Sequence, residues 1–155
     1  MKILVLYYTR SGHTLEAVNA TAEGIWSAGA EVNIVSVIDF GAGSIVKYDG
    51  LIVGSPCWAG SVIGSGIAKP LSKVLKALPA DFLTMKRCGG ISVHSTTGGA
   101  NTVKSLGELL AKKGCEDFRP GPAVKAGVPL SLWKGSPVGD QDKAKLKAYG
   151  AEFVG

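Results

Sequence analysis

The first strand-like run, together with the residues just after it, narrows the possible folds of this chain more than any other stretch. Residues 2–8, KILVLYY, are short and almost continuously apolar, and from Thr14 the apolar spacing turns helical. A strand that is apolar on both sides belongs inside a parallel sheet with helices on either face. Leu15, Val18, Ala22, Ile25 and Trp26 fall on one face of the next helix, and Gly29 stops it. The opening therefore predicts a β–loop–α unit.

The same alternation continues along the chain. Residues 31–38 (EVNIVSVI) and 51–54 read as the second and third strands, and 88–94 (CGGISVH) as the fourth. A short helix starts near Pro70 and turns Leu71, Val74, Leu75 and Leu78 inward, proline being favoured in a first helical turn. Residues 102–113 form another helix with Val103, Leu106, Leu109 and Leu110 on one face. A last helix from about Asp142 buries Leu146, Tyr149 and Phe153. Residues 115–140 break the rhythm with Pro120, Pro122, Pro129 and Pro137. The fifth strand is expected within 116–128, followed by an irregular segment. Loops beyond about 12–15 residues are uncommon and tend to be functional.

The 155 residues suit one domain, 1–155. Strands joined by crossover helices form right-handed βαβ units around a parallel sheet, and such sheets bind ligands beyond the carboxyl ends of their strands. The loops after strands one, three and four are thus where chemistry is expected.

Composition excludes several classes. The chain is 46% hydrophobic and 19% charged, so it folds. It has no apolar run near the roughly 20 residues of a membrane span and no leader-like start, which makes the cytoplasm the expected location. Cys57, Cys88 and Cys115 are odd in number and lack a C-x-x-C pair, against a disulfide framework, a zinc ribbon or an iron–sulfur site. Cys88 and Cys115 read as small buried hydrophobes. The net charge of +5 comes with lysines dispersed along helices and no basic run interleaved with aromatics, so nucleic acid is not an expected partner.

Three loops stand out. Thr9, Arg10, Ser11, Gly12, His13 and Thr14 join the first strand to its helix. Hydroxyls, a glycine and the free amides of a helix N-terminus suit a phosphate, with the helix dipole adding to the attraction. The pattern is neither G-x-G-x-x-G nor a P-loop, so dinucleotides and ATP fit less well. An ordinary turn capped by Ser11 or His13 is the alternative. After the third strand, residues 54–61 (GSPCWAGS) hold Trp58 between small neighbours. An aromatic there can stack on a planar ligand, a contact contributing roughly 0.5–1.5 kcal/mol beyond its area burial, or it packs beneath its own loop. After the fourth strand, Ser95, Thr96, Thr97, Gly98, Gly99, Ala100 and Asn101 are small and glycine-rich. They can bring backbone amides against a heteroaromatic edge, or form a flexible turn.

Taken together, YYTRSGHT, GSPCWAG and STTGGAN resemble the phosphate loop and the two isoalloxazine loops of flavodoxin-like FMN proteins, over nearly the whole chain. The resemblance implies a three-layer α/β sandwich with a five-stranded parallel sheet of order 2-1-3-4-5. Thr9, Ser11, Gly12 and Thr14 match the T-x-[ST]-G-x-T loop of flavodoxins proper. The YY…GHT opening, the third loop and residues 135–139 (GSPVG) are similar to NAD(P)H:quinone oxidoreductases of the WrbA type. Carried over, the likeness assigns Thr9, Arg10, Ser11, Gly12, His13 and Thr14 to the FMN phosphate. Pro56, Cys57, Trp58, Ala59 and Gly60 go to the ring system, and Ser95, Thr96, Thr97, Gly98 and Gly99 to the ring edge or ribityl chain. It implies a cofactor, non-covalent FMN, and no metal.

The chain departs from that pattern in ways that matter. Many flavodoxins cover the outer flavin face with a third-loop tyrosine, and here there is none. Trp133, in LSLWK, is an alternative cover, a dimer contact, or a lid on the fifth strand. Neither flavin-facing loop contains Asp or Glu, so the reduced flavin is expected to be less destabilised by charge. Cys57 beside Trp58 is either a redox-active thiol or simply the small residue a turn requires.

Three functions are compatible with these residues: an electron carrier, a two-electron quinone reductase, and a non-flavin phosphate-binding or interaction module. The expected partners are acidic, transient redox proteins or small quinone-like substrates, with oligomerisation open. A response regulator would need an acidic cluster at the strand ends. A low-molecular-weight phosphatase would need a cysteine in the first loop. Neither is present.

Overall fold

A computed structural model describes residues 1–57, 66–95, 97–127 and 137–155. Five strands, β1 (Lys2–Tyr7), β2 (Glu31–Ser36), β3 (Gly50–Pro56), β4 (Arg87–His94) and β5 (Asp117–Lys125), form one parallel sheet of order β2-β1-β3-β4-β5. Among the described residues three helices cross between strands, α1 (His13–Ser27), α2 (Lys69–Lys76) and α3 (Gly99–Ala111), and a fourth, α4 (Asp140–Val154), follows β5. The fold is therefore the flavodoxin-like sandwich expected from the sequence.

Alternation along the buried strands builds two cores. Leu4 and Leu6 of β1 face α2 and α3, where they meet Leu51, Leu71, Leu75, Leu106 and Leu110. Ile3 and Val5 face α1 and α4, with Val18, Ile25, Ile52, Ile91, Leu146 and Phe153. Each face is built mainly from aliphatic side chains, as a central parallel strand requires.

Helices α1 and α4 pack backbone to backbone. A Cβ placed on Gly24 would strike the Lys147 carbonyl, and one on Gly150 would strike the Thr21 carbonyl. Two helix ends are closed by cations from elsewhere in the chain. Arg87 Nη1 donates to the Phe153, Val154 and Gly155 oxygens at 2.6, 3.2 and 3.0 Å at the end of α4. Lys113 Nζ donates to the Lys76 and Leu78 carbonyls, both at 2.8 Å, at the end of α2. Side chains thus satisfy carbonyls that a helix terminus leaves open.

Several sequence expectations shift. Trp26, placed with the inward residues of α1, is 74% exposed in the last turn of the helix. Helix α3 starts at Gly99 rather than Thr102, α4 at Asp140 rather than Asp142, and β2 ends at Ser36. The stretch between β2 and β3 contains two 3₁₀ segments: Val37–Asp39, whose first two residues the sequence pattern assigns to the second strand, and Ala42–Lys47, where it predicts no element. Strand β5 accommodates Pro120 and Pro122 because it lies at the sheet edge, and its pairing slips between Gly90 and Ser92. No helix among the described residues is long and apolar enough to cross a membrane.

Candidate functional site

The register brings the three loops together. Tyr7 of β1 pairs with Gly54 of β3, which pairs with Ile91 of β4, and Pro56 pairs with Val93. The three central strands therefore end side by side, and all three candidate loops leave from the same sheet edge.

In the first loop, Thr9 Oγ1 accepts the Gly12 N–H at 2.9 Å, which folds the loop back on itself. Gly12 is left-handed, with φ 92°, and starts α1 without any side-chain cap. The capped-turn alternative, with Ser11 or His13 as cap, is not what the chain adopts. Arg10 is exposed, Thr9 and Ser11 are half-buried, and His13 and Thr14 are buried beneath the loop. The first-turn amides of α1 thus face the sheet edge with the positive end of the helix dipole behind them.

Sequence reasoning passes over Glu16, one turn into α1. Its Oε2 accepts the Val138 N–H at 2.9 Å, and its Oε1 lies 3.6 Å from His13 Nδ1. This carboxylate is engaged by the chain's own groups and ties the segment before α4 to the first loop. An acidic residue at i+3 from a loop histidine is the available signal.

The base of the second loop is stitched on three sides. The Cys57 N–H donates to the Val93 carbonyl at 2.8 Å, and Cys57 bridges to Ile67 in antiparallel fashion. Ser55 Oγ accepts the Ala68 N–H at 3.0 Å and donates to the Pro56 carbonyl at 2.7 Å. Cys57 Sγ lies 3.7 Å from the Thr97 carbonyl, so its thiol joins the second loop to the third. Trp58, Ala59 and Gly60 fall outside the described residues, as do Thr96 and Trp133.

The third loop repeats the geometry of the first. Gly98 is left-handed, with φ 94°, and opens α3 with no side-chain cap. Thr102 closes the turn from within, its N–H and Oγ1 both donating to the Gly98 carbonyl at 3.1 and 3.2 Å. Gly99 has no room for a Cβ, which would run into His94 Nδ1. Ser95 is half-buried and Thr97 exposed.

His94 and Ser92, which no sequence motif singles out, lie at the base of this loop. The Nδ1 of His94 and the Oγ of Ser92 are buried with no hydrogen-bond partner among the described residues. Burial, and then the nearby Lys125, hold the His94 imidazole below its ordinary pKa, with Asp142 opposing. Its neutral form is favoured at pH 7.

The donor set fits a phosphate ester carrying a heteroaromatic group. Hydroxyls and uncapped amides meet at the first loop, a second uncapped glycine-led helix start leaves the same sheet edge after β4, and at its base lies the His94 Nδ1, which has no hydrogen-bond partner among the described residues. Among the described residues no group of His, Cys, Asp and Glu is arranged to hold a metal ion.

Comparison with known proteins agrees on architecture. No protein-family model matches the chain, and no curated protein matches its sequence. Solved structures do match. A flavodoxin from the domain Archaea aligns with TM-score 0.76 and 19% identity over 99% of this chain and 96% of its own. Flavodoxin 1 from Bacillus cereus aligns with TM-score 0.76 and 23% identity over 99% and 97%. A flavone reductase aligns with TM-score 0.75 and 14% identity over 99% of this chain and 62% of its own. At these identities the likeness establishes the fold, and any function has to be argued from the site.

Proposed function

We propose that this chain is a flavodoxin-type electron-transfer protein that holds FMN non-covalently at the carboxyl edge of its sheet. The observation that carries this reading is the first loop, where Thr9 clamps a left-handed Gly12 and leaves the start of α1 uncapped. Bound FMN would supply one- and two-electron redox chemistry.

The chain's own residues would do the rest. Thr9, Ser11 and Thr14 with the α1 amides would hold the phosphate, and Arg10 would add charge from the rim. Pro56, Trp58 and Gly60 would flank the ring system. Ser95, Thr96, Thr97, Gly98 and Gly99 would approach the ring edge or ribityl chain through backbone groups. The thiol of Cys57, facing the Thr97 carbonyl, acts here as a brace between two loops. The neutral His94 offers an acceptor rather than a positive charge. The protein is taken as cytoplasmic.

A second reading, an FMN-dependent NAD(P)H:quinone reductase, is favoured by one observation: the third loop has no tyrosine to cover the outer ring face. Anaerobic addition of NADPH to the FMN-loaded protein separates the two. A flavin spectrum that persists for minutes supports the carrier, whereas bleaching within seconds supports the reductase.

A further inference from the structure

Positive charge is concentrated in one segment of this chain. Residues 66–115 carry eight basic side chains against Asp81 and Glu108, a net +6, while the rest of the chain, with nine basic and ten acidic residues, is net −1. This segment contains α2, β4 and α3, and both helices lie on the same face of the sheet. Three of the eight are held by the fold itself. Lys113 caps α2, Arg87 caps α4, and Lys86 Nζ donates to the Tyr48 carbonyl at 2.6 Å.

The other five face solvent. Lys69, Lys73 and Lys76 line the outer side of α2, opposite the buried Leu71 and Leu75, and Lys104 and Lys112 are exposed on α3. None of the five forms an ion pair among the described residues. The opposite helix layer is mixed: α4 alternates lysines with Asp140, Asp142 and Glu152, and Lys145 Nζ approaches Asp142 at 3.9 Å. Helices α2 and α3 start after the second and third loops and run back toward the amino edge of the sheet, so Lys69 opens the lysine face on the side of the candidate site, and Lys76 and Lys112 close it at the far end.

We propose that the lysine face of α2 and α3 is the docking surface for an acidic redox protein, bound in a short-lived encounter along the helices that follow the second and third loops. Its role in electron transfer rests on the FMN reading above; the docking itself does not. Five lysines with no arginine and no aromatic among them make a field of hydrated point charges. Such a field steers association and leaves few tight contacts, which suits the small, weak interfaces of electron transfer. A nucleic-acid surface would be expected to add arginine forks or stacking rings.

The test uses the full chain and an acidic plant-type [2Fe–2S] ferredoxin. In the kinetic arm, dithionite-reduced ferredoxin is mixed anaerobically with the FMN-loaded chain, each reduced cluster giving one electron to the flavin. The second-order rate is expected to fall at least tenfold between low salt and about 0.5 M salt. It should fall by a similar factor at low salt in the Lys73→Glu/Lys76→Glu variant. It should change by less than threefold in Lys143→Glu/Lys145→Glu, which alters net charge equally on α4, across the sheet. Equal losses in both variants, or no salt dependence, would overturn the proposal.

In the binding arm, oxidised ferredoxin is titrated into the flavin-free chain and followed by NMR. Shifts confined to α2, α3 and their loops, absent in the Lys73/Lys76 variant, support docking even if the chain retains no flavin. That outcome would discard the carrier reading and keep the docking surface. Retained flavin with shifts scattered over α1 and α4 would do the reverse. Tighter binding of a single-stranded 20-mer DNA than of ferredoxin, lost in the same variant, would reassign the face to nucleic acid.

Discussion

The packing of α1 against α4 sets up a sharp conflict between helix propensity and contact. Gly24 lies inside α1 and Gly150 inside α4, so exchanging either for alanine should, by propensity alone, stabilise the protein by about 1 kcal/mol. The structure reverses the sign. The new methyl at position 24 would enter the Lys147 carbonyl and approach the Ala151 nitrogen at 3.0 Å; at position 150 it would enter the Thr21 carbonyl. These are backbone atoms and cannot swing aside as a side chain would. The helices must separate, loosening Ile25, Leu146 and Phe153 in the core beneath. Overpacking costs typically 1–3 kcal/mol, and a backbone obstacle puts these sites at the upper end. Allowing for the propensity gain, each substitution should lose roughly 2 kcal/mol net, lowering Tm by about 4–8 °C for a chain of this size. Gly43, exposed and with nothing within 4 Å of its notional Cβ, is the control and should change little as alanine. Urea denaturation of Gly24→Ala, Gly150→Ala and Gly43→Ala reads the effect directly. Gly24→Ala as stable as the parent, or more so, would refute the backbone-contact argument.

Other expectations rest on single groups. Arg87→Met removes the guanidinium from the Phe153 and Val154 carbonyls and the nearer partner of Asp117 at 3.1 Å, leaving Arg119 on Asp117, Glu152 and Gly155, and should cost roughly 1 kcal/mol in urea unfolding with early loss of exchange protection in α4. Met85 sits at φ 68° and is 95% exposed, so Met85→Gly should exceed Met85→Ala in stability by about 1 kcal/mol, because only glycine relieves the left-handed strain. His94, held neutral in the folded state, takes up a proton more readily when unfolded. Stability should therefore decline as pH falls below about 6.5, and His94→Gln should flatten that limb of a Tm-versus-pH profile.

Much of this architecture is legible because buried parallel strands announce themselves. KILVLYY and the run ending in Gly54 have no polar face, and Pro70 marks the first turn of α2. The rest depends on information that a sequence does not carry locally. Trp26 fits the inward periodicity of α1, yet in the last turn it is Ile25 that enters the core while Trp26 meets solvent. Pro120 and Pro122 argue against a central strand and are silent about an edge strand, which leaves β5 without clear limits in the sequence. Cys88 and Cys115 read as buried from their apolar surroundings, but only folding brings them together. Their mutual hydrogen bond raises the Cys88 thiol pKa, with burial adding to it, and lowers that of Cys115. In the site, the loops are visible as composition, whereas Glu16 becomes a candidate only through its long-range bond, and Ser92 and His94 only through buried polar atoms that lack a partner among the described residues. The bond from Glu16 to Val138 spans 122 residues.

The flavin reading stands or falls on whether the first loop binds the phosphate of FMN. Comparing FMN with riboflavin, which has the same ring and no phosphate, isolates that contact. Each is titrated against the flavin-free chain while flavin fluorescence is followed. The expected result is one FMN per chain with strong quenching, and riboflavin binding at least tenfold weaker. Equal affinity for the two flavins would contradict the role given to Thr9, Ser11, Gly12 and the start of α1, and absence of binding by either would remove the flavin reading altogether.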